Sequence, residues 1–228
     1  MDKAMFPQRL IEGYRTFLGD HFAREQDRYE ALAEQGQSPE ILVISCCDSR
    51  VSPEVIFDAS PGELFIVRNV ANLVPPFETG GAFHGTSAAL EFAVMALKVK
   101  HIVVLGHARC GGIRAVADPS EPLSPGDFIG KWMSIVAPAA ERLGKPDGDL
   151  SAYLPRLEQA SIENSLANLV TFPCIRTLVE RGRLHLYGAY FSIATGGLLV
   201  RDPSDGAFKP AVPGVLPRRT SMMRAVEA

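Results

Sequence analysis

The run Ile41-Leu42-Val43-Ile44 is apolar without interruption and passes through Ser45 into the polar cluster Cys46-Cys47-Asp48-Ser49-Arg50. A strand with one wet face alternates polar and apolar residues. A continuous apolar run bounded by turn residues predicts a strand buried on both faces, as in a parallel sheet. Residues 101–105 repeat the pattern and run into Gly106-His107-Ala108-Arg109-Cys110-Gly111-Gly112. Residues 63–67 and 184–189 are two further strand candidates, and 198–201 a short edge strand. Between the strands lie helical patterns over 85–97, from 111 onward, over 128–143, and over 156–181, where Pro173 is expected to kink or divide the helix. Residues 119–126, with three prolines and a glycine, read as a loop.

Apolar strands alternating with helices predict an α/β fold, a mostly parallel central β-sheet flanked by helices. At the amino end, Phe6, Leu10, Tyr14, Phe17 and Leu18 recur at near-helical spacing, so residues 1–36 read as a helical arm that Gly36-Gln37-Ser38-Pro39 terminates. The stretch 202–228, with Pro203, Pro210, Pro213 and Pro217, reads as an irregular tail. At 228 residues, 46% of them hydrophobic, the chain suffices for one domain spanning 1–228. A formal net charge of −3 and the lack of a basic stripe argue against a nucleic-acid partner. No run approaches the ~20 apolar residues that span a bilayer, which argues against a membrane protein. With no apolar secretory run near Met1, a cytoplasmic location is expected. In a reducing compartment Cys46, Cys47, Cys110 and Cys174 are thiols or metal ligands rather than disulfides, and Cys174 reads as a small buried hydrophobe.

In a parallel sheet, function collects at the carboxyl ends of the strands, and that is where both polar clusters fall. A Cys and a His-x-x-Cys at neighbouring strand ends are able to converge on one metal, and mixed thiolate and imidazole donors suit zinc. Three protein ligands leave a coordination position open, the catalytic rather than the structural arrangement. If the chain stays extended past Ser45, Cys46, Asp48 and Arg50 share one side and Cys47 takes the other. Cys46, His107 and Cys110 are therefore the expected ligands, with Asp48 and Arg50 paired beside them.

Cys46-x-Asp48-Ser49-Arg50 with His107-x-x-Cys110 resembles the zinc signature of the β-class carbonic anhydrases. Pro61-Gly62-Glu63, the block from Val67 through Pro76, residues 91–94, Gly188-Ala189-Tyr190 and Thr195-Gly196-Gly197-Leu198 extend the likeness over about 37–199, closest to the plant-type branch. The resemblance implies one Zn2+ per chain and reversible hydration of carbon dioxide to bicarbonate by a zinc-bound hydroxide. It gives Asp48 the role of orienting that hydroxide, or of a fourth ligand in an inactive state, and Arg50 the role of holding Asp48. It also implies a substrate pocket of Gln37, Phe65, Val70, Phe92 and the Gly111 N–H; Phe92 replaces a tyrosine common there. A homodimer or dimer-based higher oligomer is implied, with N-terminal helices packing on the partner and Gln37 donated across the interface.

Read without the resemblance, Phe65, Val70 and Phe92 are ordinary core residues and Gln37 a turn residue. His21, His84, His101 and His185 are candidate proton shuttles. Some bacterial members of the family carry an inhibitory bicarbonate pocket built on a Trp three positions before the first Cys, an Arg and a Tyr. The corresponding residues here are Val43, Arg68 and Tyr190, so cooperative bicarbonate inhibition is not expected. Three alternatives compete: a same-fold hydrolase of a sulfur analogue such as carbon disulfide, a non-catalytic zinc-binding homologue, and a redox protein using Cys46-Cys47. Adjacent cysteines form only a strained disulfide.

Cys46 and Cys47, on opposite sides of the chain, are expected to differ in their effect on zinc binding. Zinc content measured on purified Cys46→Ala is expected to fall to near zero, and that of Cys47→Ala to stay at the native level. Equal loss in both variants contradicts it.

Overall fold

The computed structural model describes residues 6–80, 84–118, 127–146 and 148–214; the predicted 119–126 loop and the tail beyond 214 lie outside them. The arm is helical as α1 (Gln8–Thr16), a π-helical stretch Phe17–Phe22, and α2 (Ala23–Gln35). It stops at Gly36, whose φ of 79° is open to glycine and costly for other residues.

Among the described residues the sheet has six strands: β1 (Ile41–Cys46), β2 (Leu64–Asn69), β3 (His101–His107), β4 (His185–Phe191), β5 (Leu198–Arg201) and β6 (Phe208–Pro210), in the order β2-β1-β3-β4-β5-β6. The first four are parallel; β5 and β6 are added antiparallel. The chain steps from β1 outward to β2, then crosses back to place β3 on the other side of β1. The strand order therefore reverses between β1 and β3, and the crevice at their carboxyl ends is where α/β sheets bind ligands.

Burial follows the alternation of strand side chains. Leu42, Ile44, Ile102 and Val104 enter the main core with Leu90, Ile162, Leu169 and Ile175. After a short α3 (Pro53–Ile56), these partners lie on α4 (Gly85–Glu91), α8 (Leu150–Leu169) and α9 (Pro173–Glu180). Val43, Leu105 and Ala189 point to the opposite face with Val51, where Ile41, Leu64, Ile66, Val103 and Phe191 are only half-buried. A third cluster, Cys46, Ala71, Leu73, Cys110, Ile113, Val136, Tyr153 and Leu157, closes over the crevice.

Several expected boundaries shift for local reasons. β2 runs on through Arg68 and Asn69, because the pairing with β1 continues to Cys46↔Asn69. The expected 156–181 helix is two helices. The first starts earlier, where the Asp149 carboxylate accepts the N–H groups of Ser151 (2.9 Å) and Ala152 (3.3 Å). The second begins at Pro173, whose missing N–H is harmless in a first turn. The 128–143 helix is α6 (Asp127–Met133) and α7 (Ala137–Leu143), joined by a 3-10 turn at Ser134–Val136 just before Pro138. The stretch after residue 202, expected to be irregular, supplies β6, so β5 is not the edge strand.

Helix α8 seats against β3 and β4 because both strands present glycine to it. A Cβ at Gly106 would meet Ile162 Cδ1 at 2.6 Å, and one at Gly188 would meet Ile162 Cγ2 at 2.9 Å. Gly106→Ala is accordingly expected to destabilise the protein by about 1–3 kcal/mol through overpacking, read by urea unfolding at fixed protein concentration. An unchanged midpoint would show that α8 has slack there.

Candidate active site

Register places the metal-binding candidates. Ser45 pairs with Leu105, so Cys46 and His107 leave neighbouring strands side by side. Arg109, at φ 58°, then turns the chain and brings Cys110 back as the residue before α5 (Gly111–Ala117). The ligand-capable atoms of Cys46, His107 and Cys110 all lie within 4.8 Å of one another, and all three residues are buried. His107 Nδ1 lies 3.0 Å from the Ala108 carbonyl, and Nε2 is buried with no hydrogen-bond partner. An orphaned imidazole nitrogen facing two soft sulfur donors is the donor set that a zinc ion fits.

The sulfurs are surrounded by donors. Cys46 Sγ accepts the N–H groups of Asp48 and Ala71, each at 3.4 Å. The N–H groups of Gly112 and Ile113, in the first turn of α5, face Cys110. The Cys110 thiol, His107 and the two N–H groups together hold Cys46 well below an ordinary thiol, against the opposing effect of burial. The same thiol–thiolate bond, together with burial, pushes Cys110 far up. The two shifts describe one shared proton, so the pair as a unit gives up its first proton easily and its second with difficulty. Burial lowers His107, but the Cys46 sulfur, the Ala108 carbonyl and Asp48 together outweigh it and the net shift is upward.

Asp48 lies beside the cluster, with Oδ2 at 4.0 Å from His107 Nε2. Arg50 grips it bidentately, Nε to Oδ1 at 2.9 Å and a terminal nitrogen to Oδ2 at 2.6 Å, and its N–H adds 3.0 Å to Oδ1. These bonds hold the carboxyl well below the usual carboxylate range, and the side chain is 15% exposed. The geometry arises differently from the expected extended chain. β1 ends at Cys46, and the segment turns, Val51 N–H closing onto the Asp48 carbonyl at 3.0 Å. Cys47 is exposed and away from the buried cluster. The Arg50 guanidinium also reaches the Arg109 carbonyl at 3.4 Å, tying together the two loops that carry the ligand candidates.

The predicted pocket residues divide into two groups. Val70 opens the turn whose Ala71 N–H reaches Cys46, and Gly111 follows Cys110, so both adjoin the cluster. Gln37 is exposed before the start of β1, a whole strand of roughly 17–20 Å from the Cys46 end. Phe65 pairs with Leu42, four residues or roughly 13 Å back from the Cys46↔Asn69 end. The Phe92 ring lies against Phe65, centroids 5.8 Å apart. One chain therefore does not bring Gln37, Phe65 and Phe92 to its own cluster. Among the histidines, His101 and His185 open β3 and β4 at the far end of the sheet, and His21 lies in the arm.

Two residues weighed as an anion pocket are occupied elsewhere. Arg68 donates to the carbonyls of Cys46 (3.0 Å), Asp48 (2.8 Å) and Val51 (2.6 Å). Tyr190 lies on the opposite face of the sheet from Val43 and donates to Glu158 at 2.6 Å. Sequence reasoning missed Glu158, a carboxylate raised by burial that also accepts the Cys110 N–H at 3.0 Å. It also missed Trp132, whose indole donates to the Val70 carbonyl at 2.8 Å. The available signal for Glu158 was the helical spacing of the polar residues 158, 161, 164, 165 and 168 along one side of α8.

A family model for carbonic anhydrase matches residues 41–198. Beta carbonic anhydrase 3 of Arabidopsis thaliana is 36% identical over 194 residues, 83% of this chain and 74% of that protein. The chain belongs to the β-class carbonic anhydrases. A second Arabidopsis thaliana relative, beta carbonic anhydrase 5, named as chloroplastic, is 40% identical over 73% of this chain and 55% of its own length. Among solved structures, the β-carbonic anhydrase CcaA superposes with a TM-score of 0.82 at 32% identity, covering 89% of this chain and 98% of CcaA. One of two tetrameric β-carbonic anhydrases from Sordaria macrospora gives 0.72 at 31% identity, covering 84% of this chain and 94% of its own. Membership in this lyase family agrees with the parallel sheet and the Cys-His-Cys cluster. No described helix is long and apolar enough to cross a membrane.

The turn carrying the Ala71 N–H is strained: Ala71 (φ 63°) and Asn72 (φ 50°) are both left-handed without being glycine. Asn69 braces it, accepting the Leu73 N–H and donating to the Leu73 carbonyl, each at 2.8 Å. Asn69→Ala is expected to cost about 1–3 kcal/mol, measured by thermal unfolding. A native-like midpoint would show that the turn holds itself.

Proposed function

We propose that the chain catalyses reversible hydration of carbon dioxide to bicarbonate and a proton, with one zinc ion per chain held by Cys46, His107 and Cys110. The observation that carries this reading is the convergence of those three donors beside an Asp48 carboxylate already oriented by Arg50. Zinc in such a site supplies a water ionised near neutral pH, the nucleophile that free water provides poorly. Asp48, ionised and doubly held, is placed to accept that nucleophile's remaining hydrogen and fix its orientation. Val70 supplies apolar surface for an uncharged substrate, and the Gly111 N–H a donor for the anionic product.

Gln37, Phe65 and Phe92 complete the pocket on this reading from a second copy of the chain. The arm leaves Phe6, Leu10, Tyr14 and Leu18 exposed along one helical stripe, and one face of the parallel sheet is thinly covered. Parallel sheets require cover on both faces, and two Sordaria macrospora enzymes of this fold are tetrameric. A dimer, or an assembly of dimers, supplies both the cover and the missing residues. The four free thiols favour a reducing compartment, with the cytoplasm proposed. No nucleic-acid or membrane partner is proposed. The engagement of Arg68 and Tyr190 favours an enzyme without cooperative bicarbonate inhibition.

Stopped-flow hydration on zinc-replete protein tests the reading. Two thiolates cancel the zinc charge and weaken it as an acid, so the rate is expected to rise between pH 6 and 9. Asp48 is held below the carboxylate range, so its ionised form is fully present there and would be lost only at more acid pH. Asp48→Asn is expected to lower the alkaline rate about 10–100-fold. A flat profile, or an undiminished Asp48→Asn variant, contradicts the mechanism. A zinc-loaded protein inert to carbon dioxide but active on carbon disulfide would move it to the sulfur-analogue hydrolases.

A further inference from the structure

Glu158 is 3% exposed, on α8, 48 residues away from Cys110 in the chain. A carboxylate in such a place costs several kcal/mol unless its oxygens are engaged. Here one oxygen accepts the Cys110 N–H at 3.0 Å and the other the Tyr190 hydroxyl at 2.6 Å. The neighbours Leu157 and Ala160 are core residues, so an apolar side chain at 158 would pack there without any need for partners. Helix α8 is itself a rigid platform. Its Asn164 donates to the Ile135 carbonyl at 2.9 Å, its Ser165 accepts the Val74 N–H at 3.2 Å, and its Asn168 donates to the Val74 carbonyl at 2.8 Å. Cys110, by contrast, sits on a loop between left-handed Arg109 and the first residue of α5. Its N–H precedes the helix and has no helical acceptor.

We propose that Glu158 is a positioning residue for the zinc site: through the Cys110 N–H it fixes the loop that aims the Cys110 sulfur, and Tyr190 fixes Glu158. The inference rests on the reading of Cys110 as a zinc ligand. What matters is where the oxygen acceptor stands, not its charge, and two substitutions separate those properties. Glu158→Asp keeps the charge and withdraws the acceptor by one methylene. Glu158→Gln keeps the reach, and its carbonyl still accepts the Cys110 N–H while its amide group faces the Tyr190 oxygen.

The experiment follows zinc release from the purified native protein and both variants into excess 4-(2-pyridylazo)resorcinol, alongside thermal unfolding of each. Outer partners of metal ligands are commonly worth 10–100-fold in metal affinity. Glu158→Asp is therefore expected to release zinc about tenfold faster than native, and Glu158→Gln to stay within about threefold. Release from Glu158→Asp at the native rate overturns the inference, and so does release from Glu158→Gln faster than from Glu158→Asp, which would make the charge decisive. Lowered unfolding midpoints in both variants with native release rates would reduce Glu158 to a packing role and also overturn it. A native protein that takes up no zinc overturns the metal site itself, and this inference with it.

Discussion

Everything at the catalytic end of this molecule depends on the parallel pairing of β1 with β3. Because Ser45 faces Leu105 across that pair, Cys46 and His107 emerge together where the strand order reverses. Buried sulfurs and an imidazole at this separation are not indifferent neighbours. Without a cation, ionising both Cys46 and Cys110 would place two negative charges close together inside the core. A dication at this point would remove the repulsion and satisfy the orphaned His107 nitrogen at once. Metal binding and the stability of this corner are then the same free energy seen from two sides.

The backbone around the cluster is held in conformations that most residues avoid. Ala71, Asn72 and Arg109 all have positive φ, and each left-handed non-glycine residue costs roughly 1–2 kcal/mol. The compensation is local and specific. Asn69 closes on Leu73, Trp132 on Val70, and Arg50 on Arg109, so each strained turn is tied to an element that does not move with it. Glycine would relieve the strain at Ala71, but the Ala71 methyl packs against Gly112, where an added Cβ would approach it to 3.2 Å. Small residue and left-handed residue fit each other here, and the fit sets how closely the Cys46 and Cys110 loops approach.

The first five strands and the three metal-binding candidates were legible in the sequence because their information is local; β6, short and ending in Pro210, was not. An apolar run of strand length that ends in polar residues declares both the burial of the strand and the position of its end. The division of the pocket was not legible. Phe65 and Val70 are five residues apart in the chain, yet one lies back along β2 and the other in the turn beside Cys46. Only the register with β1 separates them. The family resemblance groups Tyr190 with Arg68, whereas strand alternation puts it on the other face, against Glu158. Glu158 itself did not stand out as a site residue despite the polar row along α8, because its partner lies on another element and a helical Glu is most often a solvated one.

The separation of Phe65 and Phe92 from Asp48 and Arg50 within one chain has a physical rationale on the proposed reading. The substrate is small, apolar and uncharged, while the product is an anion, so a working pocket needs an apolar wall facing an ionised wall. Building both walls from one strand end would desolvate the Asp48–Arg50 pair permanently, and a buried ion pair gains little against that cost. In the single chain Arg50 remains half-exposed and Phe92 remains 48% exposed. Each half is tolerable alone because water still reaches it. Bringing a second copy's apolar half against the charged half dries the site only when the assembly forms, and a drier site strengthens the Asp48–Arg50 interaction that orients the nucleophile. Assembly then acts on the chemistry through the local dielectric as well as through the residues it supplies.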